Sequence, residues 1–176
     1  MATTKWALDP THSELQFKVK HLMITTVTGS LKSFSADLTS EGDEFADADI
    51  SFKGDITSLD TGNTDRDNHL KAADFFDAEK FPHVEFKSTS VEKDGDDYSV
   101  NGNLTIKGET KQVKLTAEFG GIATDPWGQT KAGFTLSGKI NRTDFGLTWN
   151  AALETGGVMV SEEVKILGEL QFIKQA

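Results

Sequence analysis

Residues 58–87 read SLDTGNTDRDNHLKAADFFDAEKFPHVEFK, and they form the one stretch of the chain with a helical pattern. Strand-like sequence lies on both sides of it. Asn63 or Thr64 can cap a helix start, and two aspartates then occupy the first turn, where the positive end of the helix dipole favours acidic side chains. The pattern predicts a short helical insert over about residues 63–77 in a chain that is otherwise β structure.

The apolar residues of this insert indicate what it covers. Leu70, Ala73 and Phe76 recur at helical spacing and can form one apolar face. We expect Phe75 and Phe76 to point into the interior of the β structure and to close one end of it, with Phe81 packing beneath them.

Outside the insert, apolar and polar residues alternate with a period of two, which is typical of strands with one buried and one solvated face. In the first such run, Leu15, Phe17 and Val19 alternate with polar residues. Turn signals such as Gly120-Gly121 separate the runs. The later runs fall within residues 49–53, 84–87, 104–107, 112–119, 134–140 and 164–172.

About eight strands can be counted, one of them over residues 26–38. We predict an all-β fold, an extended antiparallel barrel of eight strands, because closure removes exposed sheet edges. A β-sandwich is the alternative. A barrel of this size can pack solid or hold one small ligand. With 176 residues and no linker-like segment, the chain is expected to form a single domain over residues 1–176.

The composition narrows the classes of partner. A net charge of −10 repels phosphates, so nucleic acid and anionic membranes are not expected to bind. No apolar run approaches the ~18 residues of a membrane helix, so stable membrane insertion is not expected either. The chain has no cysteine, which excludes disulfides. The N-terminus lacks the apolar region of a signal peptide, which predicts a cytoplasmic location, or a periplasmic one if a signal was removed.

Few residues of the chain could catalyse a reaction or bind a metal. None of the histidines is paired at the spacing of metal ligands, and the acidic loop over residues 60–67 lacks the glycine placement and the terminal glutamate of an EF-hand. Asp74 and Asp77 fit a solvated helix end better than an acid–base pair. We therefore expect no catalytic residue and no metal site. The histidines are His12, His21, His69 and His83.

Two arginines stand close to aspartates. Arg66 is flanked by Asp65 and Asp67, and Arg142 lies near Asp144. Structural ion pairs within these segments are the expected role of both arginines. A contact from either guanidinium to a ligand head group at the rim of the barrel is the alternative.

Four blocks, in order along nearly the whole chain, resemble the YceI-like family of lipocalin-shaped, polyisoprenoid-binding proteins. The chain departs from the family pattern at Leu31 and Ala36, where relatives often carry Phe and Gly. The blocks are DPTHSELQFKVKH at residues 9–21, the 58–87 stretch with its DTGN, RDNHL and DFFD elements, GNLTIKGETK at residues 102–111, and NRTDFGL followed by GGVMVSEEV within residues 141–164.

The resemblance implies a lipocalin-like barrel whose elongated apolar channel holds a long isoprenoid chain, such as that of a quinone or its precursor. It implies non-enzymatic binding, storage or transport, with no cofactor besides the bound polyisoprenoid or prenyl-quinone-like lipid, and a homodimer in some members. Burial of the chain gains about 25 cal/mol per Å² of apolar surface. Two alternatives stay open. One is an enzyme acting on a lipid-like substrate, with His21 and Asp74 as first candidates, and the other is a ligand-free structural or stress protein with a solid core.

Strand parity and the insert together predict the wall of the channel. The hairpin over residues 145–160, with Gly156 and Gly157 at its turn, is expected to form a flexible rim that gates entry of the lipid; an ordinary surface turn is the alternative. The residues predicted to contact the lipid are Phe17, Val19, Phe52, Phe75, Phe76, Phe86, Leu104, Ile106, Leu115, Phe134, Leu136, Trp149 and Ile166.

Overall fold

The computed structural model describes residues 3–21, 24–42, 44–72, 75–147 and 161–175. Helix α1 spans Thr64–Lys71, and short 3₁₀ turns lie at Pro10–His12, Ile56–Ser58 and Arg142–Phe145. Among these described residues, no helix has the length and apolar character needed to cross a membrane. The strands are β1 (Thr3–Leu8), β2 (Glu14–His21), β3 (Thr25–Leu31), β4 (Phe34–Glu41), β5 (Glu44–Asp55), β6 (Leu59–Asp60), β7 (His83–Asp94), β8 (Asp97–Ile106), β9 (Glu109–Thr124), β10 (Thr130–Asn141) and β11 (Glu163–Lys174).

The strands close into a barrel. The order around the ring is β1, β4, β5, β7, β8, β9, β10 and β11, each antiparallel to the next, and β11 pairs back with β1. Closure lets these strands pair on both sides, which removes exposed edges. The predicted eight-stranded antiparallel barrel is confirmed, and the alternative of a sandwich is wrong.

Two of the long strands are broken near their middle. β2 continues β1, since both pair with β11, and β4 likewise continues β3. The single strand predicted over residues 26–38 is therefore two strands, separated at Lys32 and Ser33. The backbone N–H groups of these two residues donate to the main-chain oxygen and the hydroxyl of Ser58, at 3.2 Å and 2.9 Å. The 3₁₀ turn that contains Ser58 thus replaces the sheet partner at the break.

The break between β1 and β2 is organised by Asp9, which is 5% exposed. Its carboxylate accepts hydrogen bonds from the backbone and the hydroxyl of Thr11, from Nδ1 of His12 at 2.8 Å and from Nζ of Lys131 at 2.9 Å. Burial by itself would raise the pKa of Asp9, but the bonds from Lys131, Thr11 and His12 outweigh it and hold that pKa well below its usual value.

Helix α1 begins where the sequence predicts but ends early. Asn63 caps it, since its side-chain oxygen accepts a first-turn backbone N–H at 3.0 Å. The helix ends at Lys71, although the prediction extended it to residue 77. No side chain of α1, whose residues are all described, is buried, whereas Phe75 is buried inside the barrel. Packing of the following segment against the interior therefore decides the path of the chain after Lys71.

Aromatic side chains fill the end of the barrel opposite the insert. Phe45 lies at their centre, with ring centroids 5.5 Å from Trp6, 5.5 Å from Phe119 and 5.1 Å from Phe134. Trp6 is buried and donates its indole N–H to the hydroxyl of Ser40 at 2.9 Å, so its polar atom is satisfied. This cluster, termed the aromatic floor, consists of Trp6, Phe45, Tyr98, Phe119, Phe134 and Phe172.

Candidate functional site

An apolar cavity of about 340 Å³ occupies the barrel between the aromatic floor and the insert. Strands β2 to β11 contribute side chains to it, and its exposed wall is almost wholly carbon. Polar side chains border it near the insert, among them Lys20, Arg66, His69 and Arg142. An apolar cavity of about 150 Å³ already suffices to bind benzene. The barrel is therefore open enough inside to hold part of a hydrocarbon chain.

The structure places most of the predicted contact residues around this cavity. Trp149 and Asp74 lie outside the described residues, as does the larger part of the hairpin predicted as a gating rim, and only the backbone of His21 is described. Those expectations stay predictions, as does contact of any residue with a lipid. The predicted residues that line the cavity are Phe17, Val19, Phe52, Phe75, Phe76, Phe86, Leu104, Ile106, Leu115, Phe134, Leu136 and Ile166.

Some lining residues were not predicted, because bulges in β5 and β7 break the period-two pattern there. Phe45 and Ala48 are both buried although their parity differs, because Asp47 between them adopts a left-handed φ of 61° and is exposed. Val91 is buried because the register of β7 against β8 shifts just before it. In both strands the inward face changes parity part-way along.

Other lining residues were missed although the alternation marked them. Tyr98 and Val100 share the parity of Leu104 and Ile106, and all four are buried on the inner face of β8. Continuing the parity of β8 toward its start would have found both. Tyr98 also belongs to the aromatic floor, where its ring lies 6.0 Å from that of Phe45.

Arg142 is buried at the mouth of the cavity, with 1% of its surface exposed. Its Nε donates to the main-chain oxygen of Ser161 at 2.8 Å, and Nη1 donates to that of Leu147. Asp144, the expected partner in an ion pair, is instead exposed. Burial lowers the pKa of Arg142, and the nearby charge of Glu162 partly opposes that shift. The guanidinium thus serves as a donor to backbone oxygens at the mouth.

Contacts around Arg142 join three elements. Ser161 and Lys20 exchange two hydrogen bonds, from the Ser161 N–H to the Lys20 oxygen and from the Lys20 N–H to the Ser161 hydroxyl, both at 3.0 Å. The guanidinium carbon of Arg142 lies 5.7 Å from the centre of the Phe75 ring, within range of a cation–π interaction. The end of β2, the 3₁₀ turn after β10 and the insert are therefore held together at this point.

The insert supplies the other side of the mouth. Phe75 and Phe76 both line the cavity, and their ring centroids are 5.4 Å apart. Phe81, expected beneath them, instead lies against the turn between β8 and β9, where a Cβ placed on Gly108 would be 2.9 Å from its ring. The pair, but not Phe81, thus bounds the cavity.

Arg66, on the same insert, does not form the expected ion pairs. Its Nε donates to the hydroxyl of Thr61 at 2.8 Å and its Nη2 to the Thr61 main-chain oxygen at 2.7 Å. The carboxylate of Asp67 also accepts from Thr61, at 2.8 Å from the backbone nitrogen. Arginine and aspartate therefore fix the loop before α1 by sharing Thr61 as a partner. A contact from Arg66 to a ligand head group stays a prediction.

The amino-acid sequence matches the family model of the YceI-like domain over residues 6–172. The chain belongs to the YceI-like family. A UPF0312 protein of Staphylococcus epidermidis is 41% identical over 170 residues, which cover 96% of this chain and 97% of the relative. A UPF0312 protein of Staphylococcus aureus is 36% identical with the same coverage. The likeness to these relatives therefore extends over almost the entire barrel.

Solved structures share this YceI-like fold. The YCEI protein of Campylobacter jejuni is 36% identical, with a TM-score of 0.75 over 89% of this chain and 90% of that one. BcnA of Burkholderia cenocepacia is 25% identical, with a TM-score of 0.79 over 93% and 98%. A Saccharophagus degradans domain, described as polyisoprenoid-binding and implicated in plant cell wall breakdown, is 16% identical with a TM-score of 0.65 over 97% and 98%, which shows the fold alone.

Proposed function

We propose that this protein binds the hydrocarbon chain of a polyisoprenoid, or of a similar long-chain amphipathic lipid, inside the barrel for storage or transport and without catalysis. The observation that carries the proposal is the cavity, whose wall is almost wholly carbon. A polyisoprenoid tail is an apolar rod that offers no hydrogen bond. Burying it gains about 25 cal/mol per Å², against the cost of ordering the tail.

The shape of the barrel supports a long ligand. β7, β10 and β11 each have 12 residues, and at the usual tilt of barrel strands that length spans about 30 Å along the axis. The aromatic floor closes one end, and the polar side chains that border the cavity lie near the other. We therefore place the tail toward the floor and the head group, such as that of a prenyl-quinone, at the mouth near Lys20 and Arg66.

Two further observations favour this proposal over its alternatives. Membership of the YceI-like family, together with the fold shared with a domain described as polyisoprenoid-binding, is consistent with lipid binding. The open interior argues against a barrel with a solid core and no ligand.

Native mass spectrometry tests the proposal directly. Protein purified without detergent should carry added mass that organic extraction releases as a prenyl lipid, and delipidated protein should take up a prenyl-quinone. Protein that is consistently empty and also fails to take up the quinone would contradict it.

A matched pair of variants identifies the cavity as the binding place. Ala117→Phe adds a ring inside the cavity, at a cost in stability of about 1–3 kcal/mol, and should abolish uptake. Thr116→Phe adds the same ring on the exposed face of β9 and should leave uptake unchanged. Equal uptake by both variants would place the lipid elsewhere.

A further inference from the structure

Glycines interrupt the apolar lining beside two of its bulky residues. Gly29 on β3 is the cross-strand partner of Phe17 on β2, and Gly138 on β10 is that of Leu115 on β9. Directly opposed residues in antiparallel strands share one face of the sheet. Phe17 and Leu115 line the cavity, so both glycines face the interior.

Each bulky side chain lies across its glycine. A Cβ placed on Gly29 would be 2.7 Å from Cε1 and 2.9 Å from Cε2 of Phe17, and a Cβ on Gly138 would collide with Cδ2 of Leu115. Carbon atoms in contact are about 3.5–4.0 Å apart. The Phe17 ring and the Leu115 methyl therefore occupy the space that a side chain at the glycine would need, and they lie along the wall.

The two pairs lie on one cross-strand row of the sheet. Leu115, Gly138, Ile166, Phe17 and Gly29 are consecutive cross-strand neighbours on β9, β10, β11, β2 and β3. One row of the lining thus contains two places where a large side chain is folded back against the sheet. Side chains at both glycines would therefore narrow the cavity along this row.

We propose that Gly29 and Gly138 set the width of the cavity and thereby select a methyl-branched chain over an unbranched one. A polyisoprenoid carries a methyl group on every fourth carbon of its main chain and is wider than a linear alkyl chain. Alanine at either glycine pushes Phe17 or Leu115 into the lumen, where it meets those methyl groups. The inference rests on the proposed lipid-binding function and names the residues that determine its selectivity.

The test compares Gly29→Ala and Gly138→Ala with the unmodified protein, using geranylgeraniol and hexadecanol as probes. The two alcohols share their main-chain length, and geranylgeraniol differs by its methyl branches and its double bonds. Comparing each variant with the unmodified protein on the same probe therefore isolates the effect of the glycine. We expect the affinity for geranylgeraniol to fall about tenfold in each variant while the affinity for hexadecanol changes little, since one methylene in an apolar pocket is worth about tenfold or more. Binding is measured by titration calorimetry on delipidated protein.

Gly133→Ala is the matched control, because it lies on the same strand as Gly138 but on the opposite face. Among the described residues, nothing lies within 4 Å of a Cβ placed there. This variant should keep the selectivity of the unmodified protein. Combining Gly29→Ala with Phe17→Leu removes the ring that the new methyl displaces, so it should recover most of the lost affinity for geranylgeraniol.

The outcomes separate the inference from the proposed function. If the unmodified protein binds neither alcohol nor a prenyl-quinone, the proposed function fails. If it binds geranylgeraniol and both glycine variants keep the same ratio of affinities, the inference on width fails while lipid binding stands. Melting temperatures identify a variant that does not fold. If Gly29→Ala or Gly138→Ala fails to fold, the other single variant and the double variant of Gly29→Ala with Phe17→Leu decide the test.

Discussion

At the scale of single residues, the Asp9 carboxylate joins β10 to the turn that interrupts the sheet between β1 and β2. It accepts bonds from Thr11, His12 and Lys131, and Lys131 belongs to β10, far along the chain. One carboxylate therefore bonds both to the turn between β1 and β2 and to a strand that lies more than 100 residues later in the chain. Such charge-assisted bonds are stronger than neutral ones, and a buried partner left unpaired is costly.

Asp9→Asn tests this role. Asparagine has the shape of aspartate but no charge, so the bonds from Lys131 and His12 weaken, and we expect the free energy of unfolding to fall by about 1–3 kcal/mol. Urea unfolding at neutral pH measures the change. Asp49→Asn, on the exposed face of β5, is the control and should change stability by less than about 0.5 kcal/mol. An equal effect of both substitutions would contradict the assignment.

The low pKa of Asp9 also predicts how stability depends on pH. Its pKa in the folded protein lies below the value of about 3.9 in an unfolded chain. The carboxylate therefore stabilises the fold fully above that unfolded value, and the contribution is lost as the pH falls toward the folded value. Between about pH 5 and about pH 2 the unmodified protein should lose more stability than Asp9→Asn. Parallel losses in the two proteins would show that Asp9 is not the group responsible.

At the scale of elements, the insert acts as the lid of the cavity through Phe75 and Phe76. Phe76→Asp places a charge against apolar surface, which costs several kcal/mol or forces the insert open. We expect a lower melting temperature and less lipid per folded molecule, measured by extraction and mass spectrometry. The lid assignment is wrong if the variant keeps both the stability and the lipid content of the unmodified protein.

Phe81→Asp is the control for that experiment. Phe81 is a half-buried aromatic residue of the same insert, but it lies against Gly108 rather than beside the cavity. The substitution should lower stability while the lipid content of the folded fraction stays unchanged. A loss of lipid equal to that in Phe76→Asp would show that general loosening of the insert, rather than the lid contact, controls binding.

At the scale of the whole molecule, we expect the aromatic floor to limit how deep a bound lipid chain enters the barrel. The ring of Phe45 packs against four other rings of the floor, and Phe45 also lines the cavity. Phe45→Leu replaces the ring by a smaller side chain, which deepens the cavity at the floor and should cost about 1–3 kcal/mol of stability. With prenyl alcohols of graded length, native mass spectrometry should show that the variant retains a longer chain than the unmodified protein does. Phe119→Leu, in the floor but not on the cavity wall, should leave the preferred length unchanged.

Local sequence determined the class of fold and the position of the insert. Alternation of apolar and polar residues specifies which face of each strand avoids water, and such strands are most stable when their apolar faces enclose a common interior. The cap at Asn63 was equally readable, because it depends only on neighbouring residues. The parity of β2, β8 and β9 placed Phe17, Leu104 and Leu115 on the cavity side for the same reason.

Tertiary structure alone decided the features that depend on pairing between distant strands. The left-handed backbone of Asp47 shifts the alternation of β5 by one residue, so Phe45 and Ala48 both point inward. The helix stops at Lys71 because Phe75 and Phe76 pack into the barrel. Arg142 is buried by contacts with Leu147, Ser161 and Phe75 rather than by its neighbour Asp144. The meeting of Phe17 with Gly29 follows from the register of β2 against β3. Register is the outcome of all the pairings around the closed ring, so the width of the cavity is a property of the assembled barrel.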